Sequence, residues 1–395
     1  MAGRPLRPDL VLHGARLLTG DDAPEDSQEG WVTVAAGRVA AVGHGSPPEG
    51  HEEVDVGGDW LAPGFVDLHV HGGGGDDVMS PDHDARAAVR RVHARHGTTA
   101  LLASTVSSPV DDLRAAVERL AADADTVTDE PIARLVGIHL EGPFLSPVRR
   151  GAHPEPALRP PDVAEWGALQ AAGRGWVRTI TLAPELPGAL DLVRHAVGAG
   201  VTAAIGHTNA DADQVRAAVS AGARLVTHTF NGMPPLHHRS PGPVGMAMDL
   251  PELVCELILD GVHVDPVAAR VLVRAAGAER VCLVTDAMAA TGLGDGTYEL
   301  AGQAVEVVGG RAEVGGTLAG STLTMAAAVE NAVALLGVDV PTAVAMATTT
   351  PAGLLPGVDV GRLHADGPAD LVRLDDAGRL RGVWIAGREV GDGTR

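Results

Sequence analysis

Short apolar runs rich in valine, leucine and isoleucine alternate with alanine-rich segments of helical periodicity from about residue 64 to residue 288. Such runs predict β-strands, and the alanine-rich segments predict amphipathic helices. The predicted strands cover residues 64–71, 98–105, 134–142, 177–185, 202–208, 225–231, 253–264 and 281–288. Helices are expected between them, among others at 82–96, 111–123, 189–199, 211–221 and 265–276. Eight successive βα units predict an α/β fold, a (β/α)8 TIM-type barrel.

Further short strands are predicted on both sides of this repeat, at residues 9–18, 31–42, 368–374 and 382–385. We expect the two terminal segments to pair into one small β-sandwich domain. This domain would comprise residues 1–61 and 356–395, and the barrel residues 62–355. A β-hairpin near residues 297–316, with Gly309 and Gly310 at its turn, is expected as an insertion after the eighth strand.

Composition narrows the class of protein. The formal net charge is −21, so phosphates of a nucleic acid would be repelled. No apolar run approaches the ~18 residues that a transmembrane helix needs, and no signal-peptide core is present, so we expect a cytoplasmic protein with no membrane partner. Cys255 and Cys282 lie in apolar, strand-like runs and are expected to be buried thiols.

The 30 basic residues are all arginines, so the chain contains no lysine. Schiff-base catalysis, a phosphate-binding Walker lysine and a carboxylated lysine between two metals are therefore excluded. A ligand that bridges two metals would have to be glutamate or aspartate.

Imidazoles and carboxylates collect where the predicted strands end. His69 and His71 end the first strand and point to the same side, because side chains two apart on a strand share a face. The remaining members of this set are Glu141 on strand three, His207 on strand five, His228 on strand six and Asp286 on strand eight. The two histidines by themselves suit a hydrogen-bonded core pair equally well, and an aspartate after a strand is often a helix N-cap. Their common position at the C-terminal ends of barrel strands favours a catalytic site.

A catalytic metal needs about three protein ligands, and Glu141, His207 and His228 can supply one such set. His69, His71 and Asp286 can hold a second ion beside the first, with Glu141 as the bridge. This ligand chemistry favours zinc or ferrous iron, one or two ions per subunit. Asp286 is the expected general base, which passes a proton on to a leaving amine.

Eight sequence stretches together resemble the amidohydrolase superfamily, and within it the N-acetylglucosamine-6-phosphate deacetylases. They are residues 63–72, 140–144, 151–154, 206–208, 228–233, 260–264, 284–287 and 318–321. The first is shared across the superfamily, and the others carry the narrower likeness.

This resemblance implies hydrolysis of the acetamide of N-acetylglucosamine 6-phosphate, with Glu141, His207 and His228 on the principal metal and Asp286 as acid and base. It places His153, Leu318 and Ala319 near the sugar. It also assigns the phosphate to Asn231, the Gly232 amide, Arg239 and His263, the last two reaching across the interface of a homodimer.

Three other functions stay open from the sequence. A deacetylase for the galactosamine epimer would share every motif, because one hydroxyl is set by loop geometry. A cyclic-amide hydrolase is a less favoured alternative, because its substrate would leave the phosphate-binding residues of the 231–239 loop unexplained. A catalytically silent scaffold would be expected to have lost ligands, and this chain keeps them all.

Overall fold

A computed structural model describes residues 8–20 and 29–391 of the chain. Eight parallel strands form the central sheet in sequence order. We call them barrel strands one to eight. They are Phe65–Val70, Thr98–Thr105, Arg134–Glu141, Val177–Leu182, Thr202–Ile205, Leu225–Val226, Val254–Leu257 and Val281–Leu283. The predicted TIM-type barrel is confirmed.

The barrel closes just beyond barrel strand eight. There the Asp286 N–H donates to the His69 carbonyl at 2.9 Å, the His71 N–H donates to the Ala287 carbonyl at 2.8 Å, and Val70 bridges Ala287. Because these contacts lie at the C-terminal end of the barrel, closure and the candidate site share the same residues.

Helices surround the barrel, and several of them begin directly after an aspartate. Asp82, Asp211 and Asp265 each accept a hydrogen bond from a backbone N–H in the first turn of the following helix. The helices are His83–Arg95, Val110–Ala124, Val163–Gly173, Ala189–Gly198, Ala212–Ala221, Gly242–Asp249, Pro266–Ala276, Met325–Asn331, Val340–Ala347 and Thr349–Ala352. Among the described residues, none of them combines the length and the apolar character needed to cross a bilayer.

The terminal segments build a second, eight-stranded sheet around its own small core, which includes Leu12, Val32, Leu371 and Trp384. Its strands are Leu10–Leu17, Gly30–Ala35, Arg38–His44, Glu52–Asp55, Trp60–Pro63, Leu371–Leu374, Leu380–Ile385 and Arg388–Glu389. The segment expected as one strand at 31–42 is instead a hairpin, because Ala36 and Gly37 adopt positive φ and turn the chain. The outer ends of the proposed terminal domain, residues 1–7 and 392–395, and its segment 21–28 lie outside the described residues.

The insertion after barrel strand eight is larger than the expected hairpin. It is a four-stranded antiparallel sheet of Gly296–Leu300, Gln303–Val308, Arg311–Val314 and Thr317–Leu318. Gly309 and Gly310 form the turn between its second and third strands, as the sequence indicated. Its last strand leads back to the C-terminal end of the barrel, so the insertion covers one side of the candidate site.

Candidate metal centre and active site

Barrel strand one delivers two buried imidazoles whose Nε2 atoms lie 3.1 Å apart. The outer nitrogen of each ring faces an acceptor. His71 Nδ1 lies 3.0 Å from the Ser104 carbonyl oxygen, and His69 Nδ1 lies 3.1 Å from Glu256 Oε2. An acceptor at Nδ1 fixes the proton there and leaves the Nε2 lone pair facing the cavity, which is how proteins prepare histidine for a metal.

His207, His228 and Asp286 lie beyond the ends of barrel strands five, six and eight, so the expectation that these strands reach residues 208, 231 and 288 is wrong. The three residues have φ values of 45°, 28° and 50°. Side chains other than glycine rarely adopt this left-handed region, and each such residue costs about 1 kcal/mol or more. The strands therefore stop where the chain must turn each functional side chain inward over the barrel mouth.

The Glu141 carboxylate joins the two groups of ligands. Its Oε1 lies 3.1 Å from Nε2 of both His207 and His228 and 3.5 Å from Nε2 of His69. Its Oε2 lies 3.2 Å from Nε2 of His71. Glu141 therefore lies between the two groups of imidazoles, where a carboxylate could bridge two ions in a chain that has no lysine.

Asp286 completes the second group, with Oδ1 3.3 Å from His71 Nε2 and 3.5 Å from His69 Nε2. The ligand atoms within each group of three, His69 with His71 and Asp286, and Glu141 with His207 and His228, all lie within 4.8 Å of one another. Both groups are buried and combine imidazole with carboxylate, which fits a zinc-like or ferrous ion.

The electrostatics of the cluster also favour a cation. Burial opposes ionisation of Glu141 and Asp286, yet the neighbouring imidazoles hold the pKa of both carboxyls below its usual range. The same carboxylates outweigh burial at His71 and raise its pKa to about 9. Buried carboxylates thus require positive charge at this place, and protons or metal ions can provide it.

His153 also faces the Glu141 carboxylate, but its ring proton lies on a different nitrogen from that of His69 and His71. Its Nδ1 accepts a hydrogen bond from the Ser107 backbone N–H at 3.2 Å, so the ring proton lies on Nε2, which donates to Glu141 Oε2 at 3.2 Å. Burial lowers the pKa of His153 to about 4 despite the nearby carboxylate. The ring is therefore a neutral N–H donor directed into the cavity.

A cavity of about 280 Å³ opens above the cluster. Three residues assigned to the site from the sequence, His69, Arg239 and Ala319, do not line it, and His69 lies directly beneath it. The others line the cavity: His71, Glu141, His153, His207, His228, Asn231, Gly232, His263, Asp286 and Leu318. Ala319 is buried in the small core under the insertion. Arg239 lies on an exposed loop, where its guanidinium contacts His238 at 2.9 Å.

Sequence reasoning missed the residues that hold the site in place. Asp260 accepts from His263 Nδ1 at 2.6 Å and from the His263 N–H at 2.8 Å. Glu256 contacts His69 and the backbone of His228. The available signal for Glu256 was a carboxylate inside the apolar run 253–259 of the predicted strand.

A barrel with two imidazole and carboxylate groups at its C-terminal mouth defines the chain as a metal-dependent hydrolase. The model of the amidohydrolase family matches residues 60–390, and the chain belongs to this family. The resemblance seen in the sequence is confirmed.

Relatives match over almost the whole chain. N-acetylgalactosamine-6-phosphate deacetylase from Escherichia coli O157:H7 is 40% identical over 383 residues, which are 96% of this chain and 98% of the relative. N-acetylglucosamine-6-phosphate deacetylase from Vibrio furnissii is 37% identical over 390 residues, 98% of this chain and 94% of the relative. The structure of a mutant N-acetyl-D-glucosamine-6-phosphate deacetylase from Mycobacterium smegmatis, in complex with N-acetyl-D-glucosamine-6-phosphate, has a TM-score of 0.89. It is 41% identical, and the match covers 97% of this chain and 99% of that chain.

Proposed function

We propose that this protein hydrolyses the acetamide of N-acetylglucosamine 6-phosphate to glucosamine 6-phosphate and acetate. The observation that carries the proposal is the position of Glu141 between two buried groups of metal ligands at the floor of the cavity. The N-acetylgalactosamine 6-phosphate epimer is the second candidate substrate, because a relative of 40% identity carries that name.

Glu141, His207 and His228 hold the principal divalent ion in this proposal, and His69, His71 and Asp286 hold a second, with zinc or ferrous iron as the metal. When bound, the metal supplies Lewis acidity, which polarises a carbonyl group and makes water a better acid. The other groups of the site then position the substrate and move the proton.

Asp286 is the residue that moves the proton. As an ionised carboxylate that lines the cavity, it accepts a proton from the attacking water, whose oxygen forms the new bond to the acetyl carbon. The same proton passes to the sugar nitrogen as the C–N bond breaks, so acetate and the amine leave and Asp286 returns to its starting state. The His153 N–H is placed to donate to the acetamide oxygen.

The phosphate is assigned to the opposite end of the cavity. Asn231, Gly232 and His263 line the cavity, and Leu318, from the last strand of the insertion, lines it as well. Arg239 is exposed within one subunit, and we propose that it reaches the cavity of the partner in a homodimer. An arginine fork matches a phosphate dianion, and it would offset the repulsion from a chain of charge −21.

We place the reaction in the cytoplasm, because a phosphorylated sugar does not cross a bilayer unaided. Steady-state release of acetate from both epimeric sugar phosphates, in buffers of defined metal content, tests the proposal. We expect turnover of the glucosamine derivative that a chelator abolishes and zinc or ferrous iron restores. A purified protein that contains its metal and hydrolyses neither epimer would contradict the proposal and favour a silent scaffold.

A further inference from the structure

Glu256 is a fully buried carboxylate in the middle of barrel strand seven, where its neighbours Cys255 and Leu257 are also buried. Its Oε2 accepts two hydrogen bonds, from His69 Nδ1–H at 3.1 Å and from the backbone N–H of His228 at 3.1 Å. Its backbone carbonyl accepts a third, from the Thr229 N–H at 2.8 Å. Glu256 therefore contacts one ligand from each metal group, from outside the cavity.

The second carboxylate oxygen of Glu256, Oε1, shows that this buried position has a cost. Among the described residues, Glu256 Oε1 is buried and has no hydrogen-bond partner. A buried carboxylate with an unsatisfied oxygen is unfavourable for folding, and a glutamine or an apolar residue of similar size would avoid part of that cost. Folding stability therefore does not explain why residue 256 is a carboxylate. Its hydrogen bonds to His69 and to the backbone of His228 do.

Each of these two groups depends on the carboxylate in a different way. At His69, a negative acceptor on Nδ1–H fixes the tautomer and makes Nε2 a stronger ligand. At His228, the contact is to the backbone, which has the strained φ of 28° and needs a partner to hold it there. The two hydrogen bonds near Thr229 and His228 fasten this turn to strand seven, and the turn aims the His228 ring.

We propose that Glu256 is a positioning residue that couples the two metal groups, through the imidazole of His69 in one and the backbone of His228 in the other. The proposal rests on the proposed function in so far as both groups bind metal. It assigns to one carboxylate the task of keeping both groups in binding geometry at once.

The test is metal affinity, measured by competition with a chromophoric chelator and by metal content after dialysis. Glu256→Gln keeps the shape of the side chain and removes its charge. We expect it to weaken binding of both ions by about 10- to 100-fold, the usual effect of losing a partner of a ligating histidine. The thermal unfolding midpoint of the metal-free protein should change little.

Asp370→Asn is the matched control. Asp370 is also a buried carboxylate that joins a side chain to a backbone N–H, accepting from Arg134 Nε at 2.7 Å and from the Ala386 N–H at 2.9 Å. It directly precedes the strand Leu371–Leu374 of the terminal sheet and contacts none of the candidate ligands, so its loss should leave metal affinity unchanged. If the Glu256→Gln protein does not fold, Glu256→Met offers an apolar side chain of similar size, with the same expected loss of metal.

The His69→Ala background separates coupling from an effect on His69 alone. In that background, Glu256→Gln should still weaken the ion held by Glu141, His207 and His228, because the backbone of His228 is still affected. If the effect disappears, the coupling is wrong. If the wild type binds two ions and Glu256→Gln binds them equally well, this inference fails alone. A wild type that binds no divalent ion overturns the proposed function and this inference together.

Discussion

Individual histidines in this cavity differ in charge because their outer ring nitrogens meet different partners. His153 Nδ1 accepts from a backbone N–H, and burial keeps the ring neutral. His263 Nδ1 instead faces the Asp260 carboxylate at 2.6 Å. Burial alone would lower the pKa of His263, but the hydrogen bond and the charge of Asp260 raise it above the ordinary 6.5. One ring is suited to donate to a neutral oxygen and the other to attract an anion.

The first prediction concerns the pH dependence of phosphate recognition. Because the pKa of His263 is raised above the ordinary 6.5, the ring stays cationic at higher pH than a free histidine and loses its charge as the pH rises through the raised value. Asp260→Asn should remove the cause of the raised pKa. As the pH rises, kcat/KM for the 6-phosphorylated sugar should therefore begin to fall at a lower pH than in the wild type. Above pH 6.5 the loss should be about ten-fold, as for a charge-assisted hydrogen bond. Superimposable pH profiles of kcat/KM would show that His263 does not bind phosphate as a cation.

Asp286 is the subject of the second prediction. Asp286→Asn keeps the size of the side chain but cannot accept a proton, so turnover should fall by about two to four orders of magnitude. The ion held by Glu141, His207 and His228 should remain, because those ligands are untouched. Single-turnover acetate release together with metal content measures both effects, and near-normal turnover would remove Asp286 from the mechanism.

The third prediction separates the two metal groups. His207→Ala or His228→Ala should each lose the principal ion, because a three-ligand site does not tolerate the loss of one ligand. His69→Ala should lose only the second ion. Metal-to-protein ratios decide the matter, and equal losses in all three variants would contradict the division into a principal and a secondary site.

At the scale of elements, the barrel strands are shorter than their sequence runs, and the difference lies where the chemistry is. Apolar periodicity predicts strands because it reports burial. Residues beyond the strand ends are buried as well, so the predicted strands extended past the observed ends. The left-handed turns at His207, His228 and Asp286 have no sequence signal. A positive φ is usually indicated by glycine, and none of these three residues is glycine. That these residues gather at the C-terminal end of the barrel was therefore predictable, but the backbone conformation that orients their side chains was not.

Gly232 shows how tightly one of these turns is packed, and it gives the fourth prediction. Its φ is +63°, and a Cβ added there would lie 3.0 Å from His207 Nδ1. Gly232→Ala should push the His207 ring and weaken the principal metal by roughly ten-fold. Gly302→Ala is the control, because Gly302 has a φ of +74° but open space around it. Chelator competition on both variants should show a loss only for Gly232→Ala, and equal metal affinities would show that the ring is not displaced.

At the scale of the whole molecule, the barrel and the imidazole and carboxylate cluster followed from patterns along one chain. The other cavity residues followed from the family resemblance, and contacts between distant segments followed from neither. The pairing of Glu256 with His69, or of Asp260 with His263, depends on register within the barrel and on loop geometry. The insertion was predicted as two strands around the turn at Gly309 and Gly310, although Gly315 and Gly316 form a second paired-glycine turn before its last strand. Assembly is a further level: in the proposed homodimer, the exposed loop of Arg239 would complete the phosphate site of the partner.

The last prediction concerns that loop. Arg239→Ala should lower kcat/KM for the 6-phosphorylated sugar by about ten-fold or more, since a charge-assisted pair is lost. Activity on unphosphorylated N-acetylglucosamine should change little, because the partner of Arg239 is absent from that substrate. Equal proportional losses on both sugars would mean that Arg239 supports the fold or the assembly instead.

Mixing two defective proteins then decides which subunit supplies Arg239. In a symmetric dimer with sites completed across the interface, a hybrid of Arg239→Ala and Asp286→Asn subunits contains one site with both wild-type residues and one with neither. If subunits exchange at random, half of the dimers are hybrids with one intact site of two, so activity should return to about one quarter of the wild-type value. An arginine that serves its own subunit would give no such recovery, because every site in the mixture would carry one of the two defects. Recovery after mixing would thus locate the phosphate ligand across the dimer interface, on the loop that is exposed when one chain is considered alone.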